Sequence, residues 1–235
     1  MSLKQIAIIP ARGGSKRIPG KNIRMFRGRP MIAHTIDAAI RTDLFSHVLV
    51  STDSEQIAEV AVSAGAEVPF LRVSCADDMT PVSEATLAAL QQAEEYYGEK
   101  FQNVCQLMAN CPLRTPRNIL DIWDFHIRNA NEFSLSCFKF GFMNPWWALT
   151  LQSDGTGKCL FENTFIRSQD LPELHCPTGA IWLANAESLK RDRSFYGKNH
   201  KFFDIPWQNA VDIDNEEDII LADIVADYLQ KSTQR

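Results

Sequence analysis

Apolar residues along the chain fall into short continuous runs that alternate with stretches of helical spacing. Gln5 to Pro10 is apolar, β-branched and unbroken, the pattern of a strand buried on both faces of a parallel sheet. A Gly-rich turn follows, then Met31, Ile32, Thr35, Ile36, Ala39 and Ile40 recur at helical spacing before a second apolar run at His47 to Val50. The rhythm repeats with a helix over Glu55 to Ala64, a short strand near Val68 to Leu71, and a helix from Val82 to Tyr97. Thr80 and Pro81 suit the N-cap and first turn of that helix. Asn103 to Met108 predicts another strand, and Thr115 with Pro116 opens a helix that runs to about Arg128. Alternation of this kind predicts an α/β protein with helices flanking a mainly parallel sheet.

Between Phe133 and Pro177 the pattern changes to aromatic and β-prone residues around turns at Met143 to Pro145 and Ser153 to Lys158. This predicts a β-rich subdomain, 133–177, inserted into a single domain that spans 1–235. Strand character returns at Gly179 to Leu183 and again at Phe202 to Ile205. Val211 to Ile213 precedes a last helix, from Asn215 to about Leu229, marked by Ile219, Ile220, Ala222, Ile224, Val225 and Leu229.

With 45% hydrophobic and 23% charged residues in 235, the chain can bury one large core. Its net charge of -5 argues against nucleic acid as a partner. The apolar run Ile6 to Pro10 is too short for a signal-peptide core or a membrane span, which predicts a cytoplasmic protein with no membrane partner. Six cysteines (Cys75, Cys105, Cys111, Cys137, Cys159, Cys176) form no CxxC pair and no zinc spacing, so free thiols in a reducing compartment are expected. The distribution of charge says more than its sum. Arg12, Lys16, Lys21 and four other basic residues fall within an 18-residue stretch that holds no acid, a place for a small anion.

Two motifs carry candidate chemistry. PARGGSKRIPGKN, Pro10 to Asn22, joins the first strand to the first helix, at the carboxyl end of the sheet where ligands of doubly wound folds bind. Gly13 and Gly14 would let backbone amides approach phosphate oxygens, and Arg12, Lys16 and Lys21 supply charge to a triphosphate. The loop fails the Walker A pattern, because one residue too many separates Gly14 from Gly20 and Asn22 follows Lys21; it also lacks GxGxxG. An ATPase and a dehydrogenase are therefore both disfavoured. The second motif is VDIDNEED, Val211 to Asp218. Asp212 and Asp214 lie two apart on an extended segment and point to one side, an arrangement that suits a hard cation such as magnesium. The alternative is that these acids only favour the N-terminus of the last helix.

These motifs, together with STDS (Ser51 to Ser54), CPLR (Cys111 to Arg114) and TGAIWL (Thr178 to Leu183), occur in the order seen in the acylneuraminate cytidylyltransferases, the CMP-sialic acid synthetases, which the chain resembles over nearly its whole length. The resemblance implies a Rossmann-like, doubly wound fold of the nucleotide-diphospho-sugar transferase type, with the inserted β-rich segment as a dimerisation arm that reaches the partner's active site. It implies that Arg12, Lys16, Lys21 and Asn22 handle the CTP phosphates beside Ala11, Gly13 and Gly14, that Asp212 and Asp214 hold Mg2+, and that Arg72 and Ser83 face the cytosine. On the arm, Arg167 or Lys139 is a candidate for the carboxylate of an acidic keto sugar. Trp146 and Trp147 are candidate dimer contacts, arm core or sugar-stacking groups.

The chain departs from the family pattern where the sugar should lie. QLMANCPLR replaces LLQPTSPLR, so Met108 stands for glutamine and Asn110, Cys111 for Thr, Ser; CPTGAIW replaces RxNGAIY, so Thr178 stands for asparagine and Trp182 for tyrosine. Legionaminic, pseudaminic or another nonulosonic acid fits the resemblance as well as N-acetylneuraminic acid does. His175 is expected to be structural and Cys111 not to be a nucleophile, since no partner base is visible. The reaction implied is transfer of CMP from CTP to the anomeric hydroxyl with release of pyrophosphate. Two rival readings remain: a nucleotidyltransferase using another NTP or a sugar 1-phosphate, and a CTP-binding homologue without transfer activity.

Overall fold

The structure, a computed structural model, describes residues 4–73, 80–162 and 166–233; Cys75 lies outside them. The first apolar run forms β1 (Lys4–Pro10), in which Ile6, Ala7, Ile8 and Ile9 are all fully buried. Ala7 and Ile9 face one hydrophobic cluster, Ile6 and Ile8 the other, which is why the run carries no polar alternation. After it come a two-residue hairpin, β2 (Met25–Phe26) with β3 (Arg29–Pro30), then α1 (Met31–Ile40), β4 (His47–Ser51) and α2 (Glu55–Ser63). The chain continues through α3 (Val82–Tyr97), β5 (Phe101–Gln106), α4 (Pro116–Arg128) and β6 (Phe133–Lys139), and then a small hairpin, β7 (Leu149–Leu151) with β8 (Gly157–Cys159). It closes with β9 (His175–Asn185), α5 (Ala186–Asp192), β10 (Lys201–Asp204) and α6 (Glu216–Thr233).

The central sheet has the order β10-β6-β9-β5-β1-β4, and β9 alone runs antiparallel to its neighbours. Ile32 and Ile36 of α1, Ile57 of α2, and Ile119 and Ile122 of α4 pack on one face; Leu87 and Leu90 of α3 and Leu189 of α5 pack on the other. The α/β architecture with a mainly parallel sheet is as the sequence predicts. A third cluster has a separate task. Ile18 from the Gly-rich loop, fully buried, packs with Phe26, Met31, Val211, Ile213, and Ala222 and Val225 of α6, so apolar burial seats the loop against the C-terminal segment.

Local chemistry explains the element boundaries. Thr115 and Asn118 form a reciprocal capping box at the start of α4, with Pro116 in its first turn. At α3 the expectation fails: Pro81 occupies the cap position and no side chain caps the helix. The strand expected at Val68 to Leu71 is also absent. Glu67 alone bridges to Leu49 at the sheet edge, and Pro69, without an N–H, cannot extend the ladder. Phe133–Lys139, expected within the inserted segment, is instead a strand of the central sheet with Phe133 through Cys137 all buried. The chain therefore leaves the sheet only over 140–174.

Candidate active site

The Gly-rich loop after β1, Asp53 after β4 and Asn110 after β5 all follow the carboxyl ends of parallel strands. The loop after β1 turns there because Ala11 donates to the Ser51 carbonyl at the end of β4, at 2.9 Å. The Gly13 N–H donates to Asp53 Oδ1 at 2.8 Å, and a Cβ on Gly13 would lie 3.1 Å from Ser54 Cβ, so this position needs glycine for close approach. The Gly13 amide is thus spent on Asp53, which stands in the STDS motif but to which the sequence assigned no role. Asn22 is buried and its amide donates to the Arg12 carbonyl at 3.0 Å, bracing the loop from within. Gly14 and Lys16 are exposed, and Arg12 is half-buried.

Lys21 crosses from this loop to the VDID segment. Its Nζ donates to the Ile213 carbonyl and to Asp214 Oδ1, each at 2.9 Å, and Arg17 pairs with Asp214 Oδ2 at 2.8 Å. Burial alone would raise the Asp214 carboxyl, but the hydrogen bond from Lys21 and the charges of Lys21 and Arg17 hold it below its ordinary value. Asp212 differs. Its carboxylate receives the Asn110 amide and, at 4.0 Å, the Cys111 thiol, while the cations go to Asp214. Although Asp212 is exposed as a residue, desolvation of its carboxylate by the surrounding protein, then the charge of Asp214, pushes it up to about 6. A carboxylate so placed gains from a hard divalent cation, and both acids offer oxygen donors. Among the described residues no group of three or more His, Cys, Asp or Glu side chains could hold a metal, so a cation here would draw further oxygens from a ligand or from water.

Asn110 joins these parts. Buried beyond the end of β5, its Nδ2 donates to Asp212 Oδ1, to the Ile213 carbonyl at 3.1 Å and to Asp214 Oδ1 at 3.4 Å, and its carbonyl accepts from Ile213 N at 2.9 Å. Asp218 fixes the other side by accepting from Asp214 N and Asn215 N, both at 2.8 Å. Arg17 and Asp218 lie within the two motifs, but the sequence assigned neither a role of its own; Asn110 lies outside both. The departure of Asn110 from the Thr of the resembling family was the only signal for it.

Met108, just past β5, packs against Gly179 of β9, the residue after Thr178. A Cβ on Gly179 would come within 3.0 Å of Met108 Cγ. Thr178 is buried, its hydroxyl accepting from Ala180 N at 3.3 Å and reaching the Ala210 carbonyl at 3.5 Å. Ser83 and Arg72 are both buried; the Ser83 hydroxyl accepts from Phe195 N at 3.3 Å, and Arg72 N donates to the Thr52 carbonyl at 2.7 Å. Arg167 is not brought to the loop. It stands exposed on the 140–174 segment, paired with Asp170 at 2.7 Å. Lys139 pairs with Glu173 at the base of that segment. Trp146 is spent inside it, donating to the Pro172 carbonyl at 2.9 Å with its ring edge on Phe161. His175 lies 3.6 Å from Glu173. Burial and then the Asp212 charge raise the Cys111 thiol, which keeps it protonated and unsuited to nucleophilic attack.

Comparison with known proteins shows the family to which the chain belongs. A family model described as Cytidylyltransferase matches residues 6–140. The chain is 35% identical over 206 residues to a CMP-N,N'-diacetyllegionaminic acid synthase of Legionella pneumophila, covering 85% of each protein. It is 31% identical over 225 residues to a pseudaminic acid cytidylyltransferase of Campylobacter jejuni, covering 95% of this chain and 96% of that protein. Among solved structures, a CMP:2-keto-3-deoxy-manno-octonic acid synthetase complexed with CTP superposes with a TM-score of 0.69 at 18% identity, over 97% of this chain and 99% of that one.

Proposed function

Because the chain belongs to the cytidylyltransferase family, we propose that it transfers CMP from CTP to the anomeric hydroxyl of a nonulosonic, sialic-acid-like 2-keto sugar acid. The observation that carries this reading is the convergence of the basic Gly-rich loop and the VDID segment through Lys21 and Asp214. The anomeric oxygen attacks the α-phosphorus in line, the bond to the bridging oxygen breaks, and pyrophosphate leaves. No covalent enzyme intermediate is needed. Arg12, Lys16 and Lys21 neutralise the triphosphate and the charge that develops on the departing pyrophosphate, and the loop backbone at Ala11, Gly13 and Gly14 with Asn22 fixes its path. Arg72 and Ser83 select cytosine; Met108 and Thr178 face the sugar. Asp212 and Asp214 would hold Mg2+, which when bound offsets the negative charge of the phosphate oxygens.

The relatives named for legionaminic and pseudaminic acids favour a nonulosonic acceptor. The 140–174 segment serves as a dimerisation arm within the one domain, with Arg167 directed at the partner's acceptor. Its exposed Phe142, Met143, Leu149, Leu151 and Leu160 support that role, since an apolar patch of this kind marks an interface. No helix among the described residues is long and apolar enough to cross a membrane. We place the enzyme in the cytoplasm, where the free Cys105, Cys111 and Cys137 thiols would stay reduced. Acceptor labelled with 18O at its anomeric hydroxyl tests the chemistry by mass spectrometry. Label retained in the CMP-sugar is the expected result; loss of label beyond the spontaneous exchange of the free keto acid with water, measured in parallel, would exclude direct attack.

A further inference from the structure

Arg114 is a buried cation that pairs with no carboxylate among the described residues. It is 4% exposed, and its guanidinium is spent on uncharged oxygens. Nη1 donates to the Ala180 carbonyl in β9 and to the Met108 carbonyl at 3.3 Å; Nη2 donates to the Met108 carbonyl at 3.2 Å and to Thr35 Oγ1 at 2.7 Å. Nε has no partner. Thr35 is itself 1% exposed, and its hydroxyl reaches the Met108 and Ala109 carbonyls at 3.3 and 3.5 Å. Stability alone accounts poorly for such a group, because an unpaired buried charge costs several kcal/mol and apolar replacements of buried ion pairs are often neutral or stabilising.

The contacts converge on one peptide plane. The Met108 carbonyl accepts from both guanidinium nitrogens and lies within reach of the Thr35 hydroxyl, which ties the end of β5 to α1 and β9 together. Gln106, the last residue of β5, pairs with Trp182 in antiparallel β9, so Thr178 and Gly179 extend past it at the same edge of the sheet. With its carbonyl so held, Met108 is set against Gly179, where any side chain larger than hydrogen would have to displace it. The surface made there is a thioether and a glycine. It offers van der Waals contact and no side-chain hydrogen bond.

We infer that Arg114 and Thr35 are positioning residues for the acceptor: through the Met108 carbonyl they hold Met108 against Gly179, and so shape the surface that receives the keto sugar without touching it. The inference rests on the acceptor reading proposed above. CTP binding is assigned above to the loop from Ala11 to Asn22 together with Arg72 and Ser83, and is left intact.

The test compares T35V, T35S and R114K with the full wild-type chain, reading acceptor KM from pyrophosphate release, CTP Kd by calorimetry, and Tm. Thr35→Val removes the hydroxyl at nearly constant volume and raises acceptor KM by about fivefold to tenfold, the equivalent of one hydrogen bond, with CTP Kd unchanged. Thr35→Ser restores the hydroxyl and brings KM back. Arg114→Lys, which cannot span three elements with one ammonium, raises KM further. The inference is overturned if T35V lowers Tm with acceptor KM unchanged, or if KM and CTP Kd rise together by the same factor. A wild-type chain that turns over no keto acid at all removes the acceptor reading and this inference with it, whereas an active wild type with unaltered T35V removes the inference alone.

Discussion

Lys21 and Asp214 stand 193 positions apart in the chain, yet Lys21 Nζ lies 2.9 Å from Asp214 Oδ1. The contact closes the site, joining the only long basic stretch to the paired acids that precede the last helix. It also holds one of the two acids ionised while its neighbour Asp212 is pushed up to about 6. Lys21 thus stands with a carboxylate on one side and an open, exposed loop on the other.

Replacing Lys21 by Met should cut turnover by about a hundredfold or more, the loss usual for a preorganised charge at the reacting phosphate. Thermal unfolding checks that the variant is folded. Wild-type turnover in a folded Lys21→Met protein would remove Lys21 from the machinery.

Ile18 gives a second prediction, on the link between packing and site. Its side chain is fully buried beside Val211 and Ile213, so Ile18→Ala should cost about 2–5 kcal/mol in urea unfolding. The loop then loses its seat, and CTP should bind more weakly even below the unfolding transition. Unchanged CTP affinity would show that hydrogen bonds at Asn22 and Gly13 suffice to shape the loop.

Much of the fold was legible because single segments determine it. Ile6 to Ile9 are apolar on both faces, as a central strand requires, and Thr115 with Pro116 marks a helix start in two adjacent positions. The boundary of the 140–174 segment was not legible. Ser134 and Ser136 look like solvent positions of an edge hairpin, but Ser136 donates to the Thr178 carbonyl and accepts from Ile181 N inside the sheet. The site divides the same way. The basic loop and VDIDNEED announce themselves by composition, whereas Asn110 and Arg114 act on carbonyls and carboxylates supplied by remote segments, and no local pattern encodes such partners.

His126 makes the protein sensitive to acid. It is 2% exposed, bonded to Ser134 and Asn103, and burial lowers its pKa to about 4. The unfolded chain therefore takes up this proton first. Stability is full above the unfolded-state pKa and is lost as pH falls toward 4, by about 3 kcal/mol in all. Asp212, with a raised pKa, acts in the opposite sense, so the measurement is the difference between wild-type and His126→Gln unfolding curves from pH 7 to 4. A constant difference would contradict a neutral buried imidazole.

The arm predicts an oligomer. Phe142 and Leu151 are 87% and 72% exposed, and replacing both by Asp should convert a dimer to a monomer in light scattering. Met25, 61% exposed away from the arm, serves as the control, and Met25→Asp should leave the dimer intact. A double variant that remains dimeric would place the interface elsewhere.

The most direct measurement is pyrophosphate release from CTP and magnesium against N-acetylneuraminic, legionaminic, pseudaminic and 3-deoxy-octulosonic acids, with ATP, GTP and UTP as nucleotide controls. A signal with CTP alone and with one nonulosonic acid is the predicted result. Equal release with other nucleotides, or tight CTP binding with no release for any acid, would contradict the proposed transfer.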